Sequence, residues 1–205
     1  MSPVIFWKEN AGIIGKMFVN QIGMTIFGLL LALATAMVSG TLLLLSSLFA
    51  IGFYMCLLYM MSWDYGARDK IRVDGGRMAY FPYKGVLLSL YANLLNILLA
   101  VLAIVGYFCT SNFEEGIPAW AANLWFISNS AARFLQAMYL GFIKVAFPDD
   151  NPFALLLIVV PALFFCGLGY MLGLKNRRIF GFAAPKPGNA DEKAEYPEHN
   201  RPQMK

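Results

Sequence analysis

MFVNQIGMTIFGLLLALATAMVSGTLLLLSSLFAIGFYMCLLYMMSW, residues 17–63, runs for 47 residues without a charged side chain. As one helix it would extend roughly 70 Å at ~1.5 Å per residue, against a hydrocarbon layer about 30 Å thick. A single span cannot use that length. The stretch therefore predicts a helical hairpin turning at Val38-Ser39-Gly40-Thr41, with Gly40 free to adopt a positive φ. Charge-free stretches at 85–113 and 151–174 repeat the signal. The whole chain agrees: of 205 residues 59% are hydrophobic and 14% charged, too few charges to coat a soluble globule.

Working outward gives an all-α polytopic bundle, residues 1–180, with a polar tail at 181–205. Spans are expected at 17–37, 41–62, 85–107 and 153–174, the last interrupted by Pro161. Residues 1–16 suit a short interfacial segment, and the first apolar run is too long for a cleaved signal peptide. The tail, rich in Pro, Gly and charge, has no apolar face to bury and should be disordered. Segment 120–147 is ambiguous. Asn129, Arg133, Gln136 and Lys144 share one side of its helical wheel, while Ile127, Phe134, Leu135, Met138 and Phe142 share the other. An arginine at a helix centre costs roughly 2.5–3.5 kcal/mol on insertion scales. The reading is four spans plus an external interfacial or re-entrant amphipathic helix, with five spans as the alternative.

Lysine and arginine counts in flanking loops set orientation. Arg68, Lys70, Arg72, Arg77 and Lys84 form a basic loop at 64–84, and Lys175, Arg177, Arg178, Lys186 and Lys193 follow the last span. Both belong in the cytoplasm, and Lys8 and Lys16 put the amino terminus there too. A crossing at 120–147 would carry the basic tail outside. The expected location is a bacterial cytoplasmic membrane.

On a regular third helix Gly85, Ser89, Asn93, Asn96, Ala100, Ala103 and Tyr107 fall along one line. Two asparagines cannot face lipid cheaply, so this stripe faces protein, as helix–helix glue or as the wall of a polar intramembrane site. Asn93, Asn96 and Arg133 are the candidate residues for such a site. Convergence of the three on a water-filled pocket would favour transport; interlocking with neighbouring helices would favour association. Gln21, Thr25, Gly28, Ala32, Thr35 and Ala36 stripe the first span, and Gly169-x-x-x-Gly173 ends the last; both read as close helix packing.

Ala32-x-x-x-Ala36 resembles the small-residue docking pattern on the first helix of energy-coupling-factor substrate-binding subunits, over five residues. The resemblance implies transport, though that family's six spans exceed those found here. Asp64-x-Gly66-Ala67-Arg68 is similar to a fragment of the CDP-alcohol phosphotransferase motif. The fragment lacks half the carboxylates a two-metal clamp needs, so no catalytic residue is carried over.

No histidine lies within a span, and the chain has no Cys-x-x-Cys, Gly-rich phosphate loop or Gly-x-Ser-x-Gly. Cys56, Cys109 and Cys166 show no ligand spacing and read as packing residues. No catalytic residue, cofactor or metal is expected, and the short, acid-containing basic loop argues against nucleic acid. The expected partners are the lipid bilayer and other membrane proteins or a second copy. The leading expectation is therefore an accessory or regulatory subunit acting by association. The alternative is a small-molecule transporter, or its substrate-binding subunit, of unassigned substrate.

Overall fold

The computed structural model describes residues 3–111, 118–147 and 151–177. The connection at 112–117, residues 148–150, and the tail from 178, including the 181–205 segment, lie outside the described residues. Helix α1 spans Pro3–Ala36 and α2 Gly40–Asp74. They are followed by α3 (Lys84–Ala92), α4 (Leu94–Ser111), α5 (Ala119–Leu135), a 3₁₀ turn (Ala137–Tyr139), α6 (Leu140–Ala146), α7 (Phe153–Leu157) and α8 (Val160–Leu174). Four helical stretches are long and apolar enough to cross a membrane: Val4–Ala36, Gly40–Asp74, Leu94–Ser111 and Phe153–Leu174. No strand occurs among the described residues.

The α1–α2 hairpin turns where expected, by a different device. Ser39 is extended (φ −164°) and its hydroxyl caps α2 by accepting from Leu42 N at 3.2 Å, while Val38 N and Ser39 N donate to Thr35 O. Gly40 is already helical, and the positive φ among glycines falls at Gly76 instead. No left-handed residue is needed when a serine cap closes the turn.

Three expected boundaries are corrected. Residues 3–16 continue α1 without a break, because nothing after Pro3 interrupts the hydrogen-bond ladder. Helix α2 likewise runs through the expected basic loop to Asp74, so Arg68, Lys70 and Arg72 stand on helix. It ends in a Schellman closure, with Arg77 N donating to Arg72 O and Gly76 (φ 67°) as the left-handed residue. The third span is not regular: it breaks at Asn93 (φ −93°, ψ 8°), whose side-chain amide bonds back to Ser89 O at 2.9 Å. The expected stripe still turns inward through Ala103. At its end Gly106 is buried and Tyr107 exposed.

Contacts fix which ends meet. Phe6 stacks on Tyr91, Tyr65 bonds Asn10, Lys84 pairs with Asp69, and Trp63 Nε1 donates to Arg177 O. The starts of α1 and α3 and the ends of α2 and α8 therefore share one end of the bundle, the basic end. At the opposite end Phe108 of α4 meets Phe153 of α7. Helix α5 runs back along α4, with Gly106 against Trp125. It descends until Leu135 O accepts from Thr25 Oγ1, and Met138 packs on Gly28. Helix α6 then climbs again, since Gly141 N donates to Ser47 Oγ near the top of α2. Segment 119–146 is thus a re-entrant hairpin that enters and leaves at the opposite end.

Packing follows membrane logic. Ala121, Ser128 and Ala132 bury the small face of α5, while Phe126, Ile127 and Phe134 are 60–65% exposed. Val19, Leu30, Phe49, Leu98 and Phe164 also point outward. Such a surface suits lipid and would be untenable in water. Between α2 and α8 the backbones nearly touch: a Cβ on Gly169 or Gly173 would collide with Tyr59 O or Trp63 O. This is the close approach the Gly169-x-x-x-Gly173 spacing predicts.

Candidate functional site

Three interruptions of helix line a single small space. They are the Asn93 break between α3 and α4, the Gln136–Tyr139 turn at the tip of the re-entrant hairpin, and Ile158–Val159 between α7 and α8. Gln21 of α1, Tyr54 of α2 and Asn96 of α4 complete a cavity of about 10 Å³, room for one water-sized occupant. Gln21 lies five residues beyond Lys16, Asn93 nine beyond Lys84, and Tyr54 ten before Asp64. At ~1.5 Å per residue the cavity sits roughly 8–15 Å along these helices from their nearest charged residues, inside the apolar layer.

Its lining carries no charge and mixes amide and hydroxyl groups with the apolar Met138, Ile158, Val159 and Ala162. Gln21, Asn93, Asn96, Gln136 and Tyr139 are each at most 4% exposed. Asn93 Nδ2 donates to Ser89 O at 2.9 Å, which turns Asn93 Oδ1 to accept from Asn96 Nδ2, also at 2.9 Å. That relay fixes the Asn96 amide with Oδ1 unbonded. Gln21 Oε1, Gln136 Oε1 and the Tyr139 hydroxyl are likewise buried and unpartnered. Four oxygen atoms on lining residues therefore lack hydrogen bonds in a setting where each unmet group costs on the order of 1–3 kcal/mol.

A second buried cluster lies at the basic end. Asp69 is fully buried; its Oδ2 accepts from Lys84 Nζ at 2.8 Å and from the Tyr170 hydroxyl at 2.9 Å. Lys84 Nζ also stands 4.9 Å from the centre of the Tyr65 ring, and the Tyr65 hydroxyl donates to Asn10 Oδ1 at 2.8 Å. Beside it a groove of about 630 Å³ runs between Phe6, Tyr80, Phe81, Leu87 and Tyr91. Its buried polar groups, Lys84 and Asn10, are already paired, and the exposed Glu9 stands on its rim.

The sequence-derived residues divide accordingly. Asn93 and Asn96 line the cavity. Arg133 does not: it is half-buried a turn before Gln136, its Nε donating to Asn129 Oδ1 at 3.1 Å. The re-entrant bend parts it from Gln136, although both share one side of the wheel. Of the basic set, Arg68 is exposed and pairs with Asp64 at 3.4 Å, Lys70 is partly covered, Arg72 reaches Asp69 at 3.5 Å and Arg77 is exposed. Lys84 is buried as an ion-pair partner, not presented on a basic surface. Gln21 and Gln136, read as packing stripe and amphipathic face, are cavity residues, and so are Tyr54 and Tyr139. Cys166 is buried, Cys109 half-buried and Cys56 exposed. No group of three or more His, Cys, Asp or Glu side chains able to hold a metal occurs among the described residues.

These features define a multi-pass membrane protein: four apolar spans, breaks at Asn93 before the third and at Ile158–Val159 within the fourth, and a re-entrant hairpin whose tip meets the breaks. No protein-family model, curated protein or solved structure matches the chain.

Proposed function

We propose that the protein moves a small solute across a cell membrane, with the cavity at the hairpin tip as its binding site. The observation carrying this reading is that all three interruptions of helix meet at that cavity. Irregular backbone at membrane depth is costly and survives where it is shielded by protein or lines a polar cavity. Discontinuous helices framing a polar site inside the apolar layer are the usual construction of secondary transporters. The association reading rests on missing catalytic motifs and gains no surface of its own here. Catalysis plays no part in the proposal.

In the proposed orientation the basic end, including the amino terminus and the residues after Leu174, faces the cytoplasm of a bacterial cell; the lysine and arginine distribution supports the cytoplasmic side. The test is side-specific labelling in a background lacking Cys56, Cys109 and Cys166. A cysteine at Lys144 should react with an impermeant thiol reagent applied outside intact cells, and one at Arg72 only after permeabilisation. A small thiol reagent should also reach Gln136→Cys from at least one face. If Gln136→Cys stays inert from both faces while the controls react, the transport reading is wrong.

A further inference from the structure

We infer that the groove at the basic end, with a second groove beside it, holds a single phospholipid of the surrounding leaflet, its ammonium headgroup at Glu9 and an acyl chain along α1 and α4. The inference stands apart from the transport reading. Position is the first ground for it. The larger groove, about 630 Å³, is lined by Phe6, Glu9 and Asn10 of α1 and by residues from 78 to 91. It therefore straddles Lys84, the last charge before the charge-free stretch 85–113, which is headgroup depth. Val4, Ile5, Trp7 and Tyr83 are exposed at the same end, as a surface resting in the interface would have them.

The second groove, about 370 Å³, shares Tyr91 with the first and is otherwise walled by Trp7, Ile14, Phe18, Leu94 and Leu95. No charged side chain lines it, and it reaches Leu95, eleven residues beyond Lys84. The polar part of the pair thus lies outward and the apolar part inward, the order of an amphiphile in a leaflet. Charge sets the headgroup. The Lys84 ammonium is taken by Asp69 at 2.8 Å, and Asn10 Oδ1 by Tyr65. Glu9 is exposed and has no ion pair among the described residues, so the open charge of the lining is negative. It shares the groove with the rings of Phe6, Tyr80, Phe81 and Tyr91. A carboxylate beside aromatic rings suits an ammonium. An anionic headgroup would meet Glu9 instead. The exposed Lys8, Arg72 and Arg77 draw anionic lipids to the perimeter, and none of the three lines either groove.

The experiment uses the full chain, purified in detergent with equimolar phosphatidylethanolamine and phosphatidylglycerol, and counts retained lipids by native mass spectrometry. A Cβ at Gly15 meets nothing within 4 Å, so Gly15→Leu fills the deeper groove without touching the helix packing, and the lipid it displaces is the groove lipid. The parent chain should retain one more phosphatidylethanolamine than Gly15→Leu does, preferred about five-fold over phosphatidylglycerol. Glu9→Gln should bring that preference to parity with an unchanged Tm, and Lys8→Gln should keep it. Equal lipid counts in the parent and Gly15→Leu would overturn the inference. Displacement of phosphatidylglycerol, or a preference that survives Glu9→Gln, would overturn the headgroup assignment. A lipid that binds only after removal of residues 178–205 would assign the groove to the chain's own end, and a two-chain species without displaceable lipid would assign it to a second copy; either result overturns the inference as well.

Discussion

The molecule buries two polar clusters, and they are finished differently. At the basic end, Asp69, Lys84, Tyr170, Tyr65 and Asn10 join four helices through three hydrogen bonds of 2.8–2.9 Å and the Lys84 ammonium 4.9 Å from the centre of the Tyr65 ring. Deeper in the apolar layer, Gln21, Asn96, Gln136 and Tyr139 surround a cavity with their oxygens unpaired. A charge pair taken out of water must be bonded well or it unfolds the protein, so the first cluster is completed. Orphaned amides are tolerable where an occupant can complete them. The contrast teaches that saturation, more than polarity or burial, separates a structural buried group from one available for work.

The sharpest way to break the comparison is to open the closed cluster. Asp69→Ala strands Lys84 and Tyr170 and should cost about 3–5 kcal/mol in detergent unfolding. Adding Lys84→Met should restore much of that loss. A double variant no more stable than the single would show that the two residues are not coupled.

The reverse operation at the open cluster should cost far less. Gln136→Leu removes an unsatisfied acceptor and leaves no bonded partner behind, so stability should stay within about 1 kcal/mol of the parent or rise. A loss as large as that of Asp69→Ala would mean the amide is bonded after all, and the contrast would collapse.

Arg133 lies a turn from the cavity, on the side of the opposite end, and belongs to neither cluster. Its long stem can carry the charge toward a polar region, and lysine can do the same, so Arg133→Lys should lose no more than about 1 kcal/mol. Losses of several kcal/mol in both Arg133→Lys and Arg133→Leu would reveal a buried, geometrically specific arginine instead. The smallest effect is expected at the surface: Arg68→Gln breaks an exposed pair with Asp64 and should change the unfolding free energy by under about 1 kcal/mol.

How much was legible depends on how local the physics is. Asn93 and Asn96 could be placed facing protein because an amide in lipid is costly whatever the fold. That Asn93 breaks its helix was not legible; the Ser89–Asn93–Asn96 relay operates only when packing turns all three inward. Lys84 looked like one more loop charge, since its burial depends on α3 folding back so that its ammonium meets Asp69. Gln136 stood in plain view on the polar side of an amphipathic segment. Its role depends on the chain reversing just after it, and no glycine or proline marks that turn.

The sequence by itself determined the class of protein, the hairpin, the gathering of basic residues at one end and the inward face of the asparagine stripe, and it favoured four spans over five. These follow from the free energy of moving side chains between water and hydrocarbon, which acts residue by residue. Tertiary structure alone decided that 119–146 dips into the apolar layer and returns, that the breaks in three helical stretches coincide, and that Asp69 is satisfied while Gln21 and Gln136 are not. Each of these depends on which distant group arrives within about 3 Å, and hydrogen bonding has no meaning until both partners are in place.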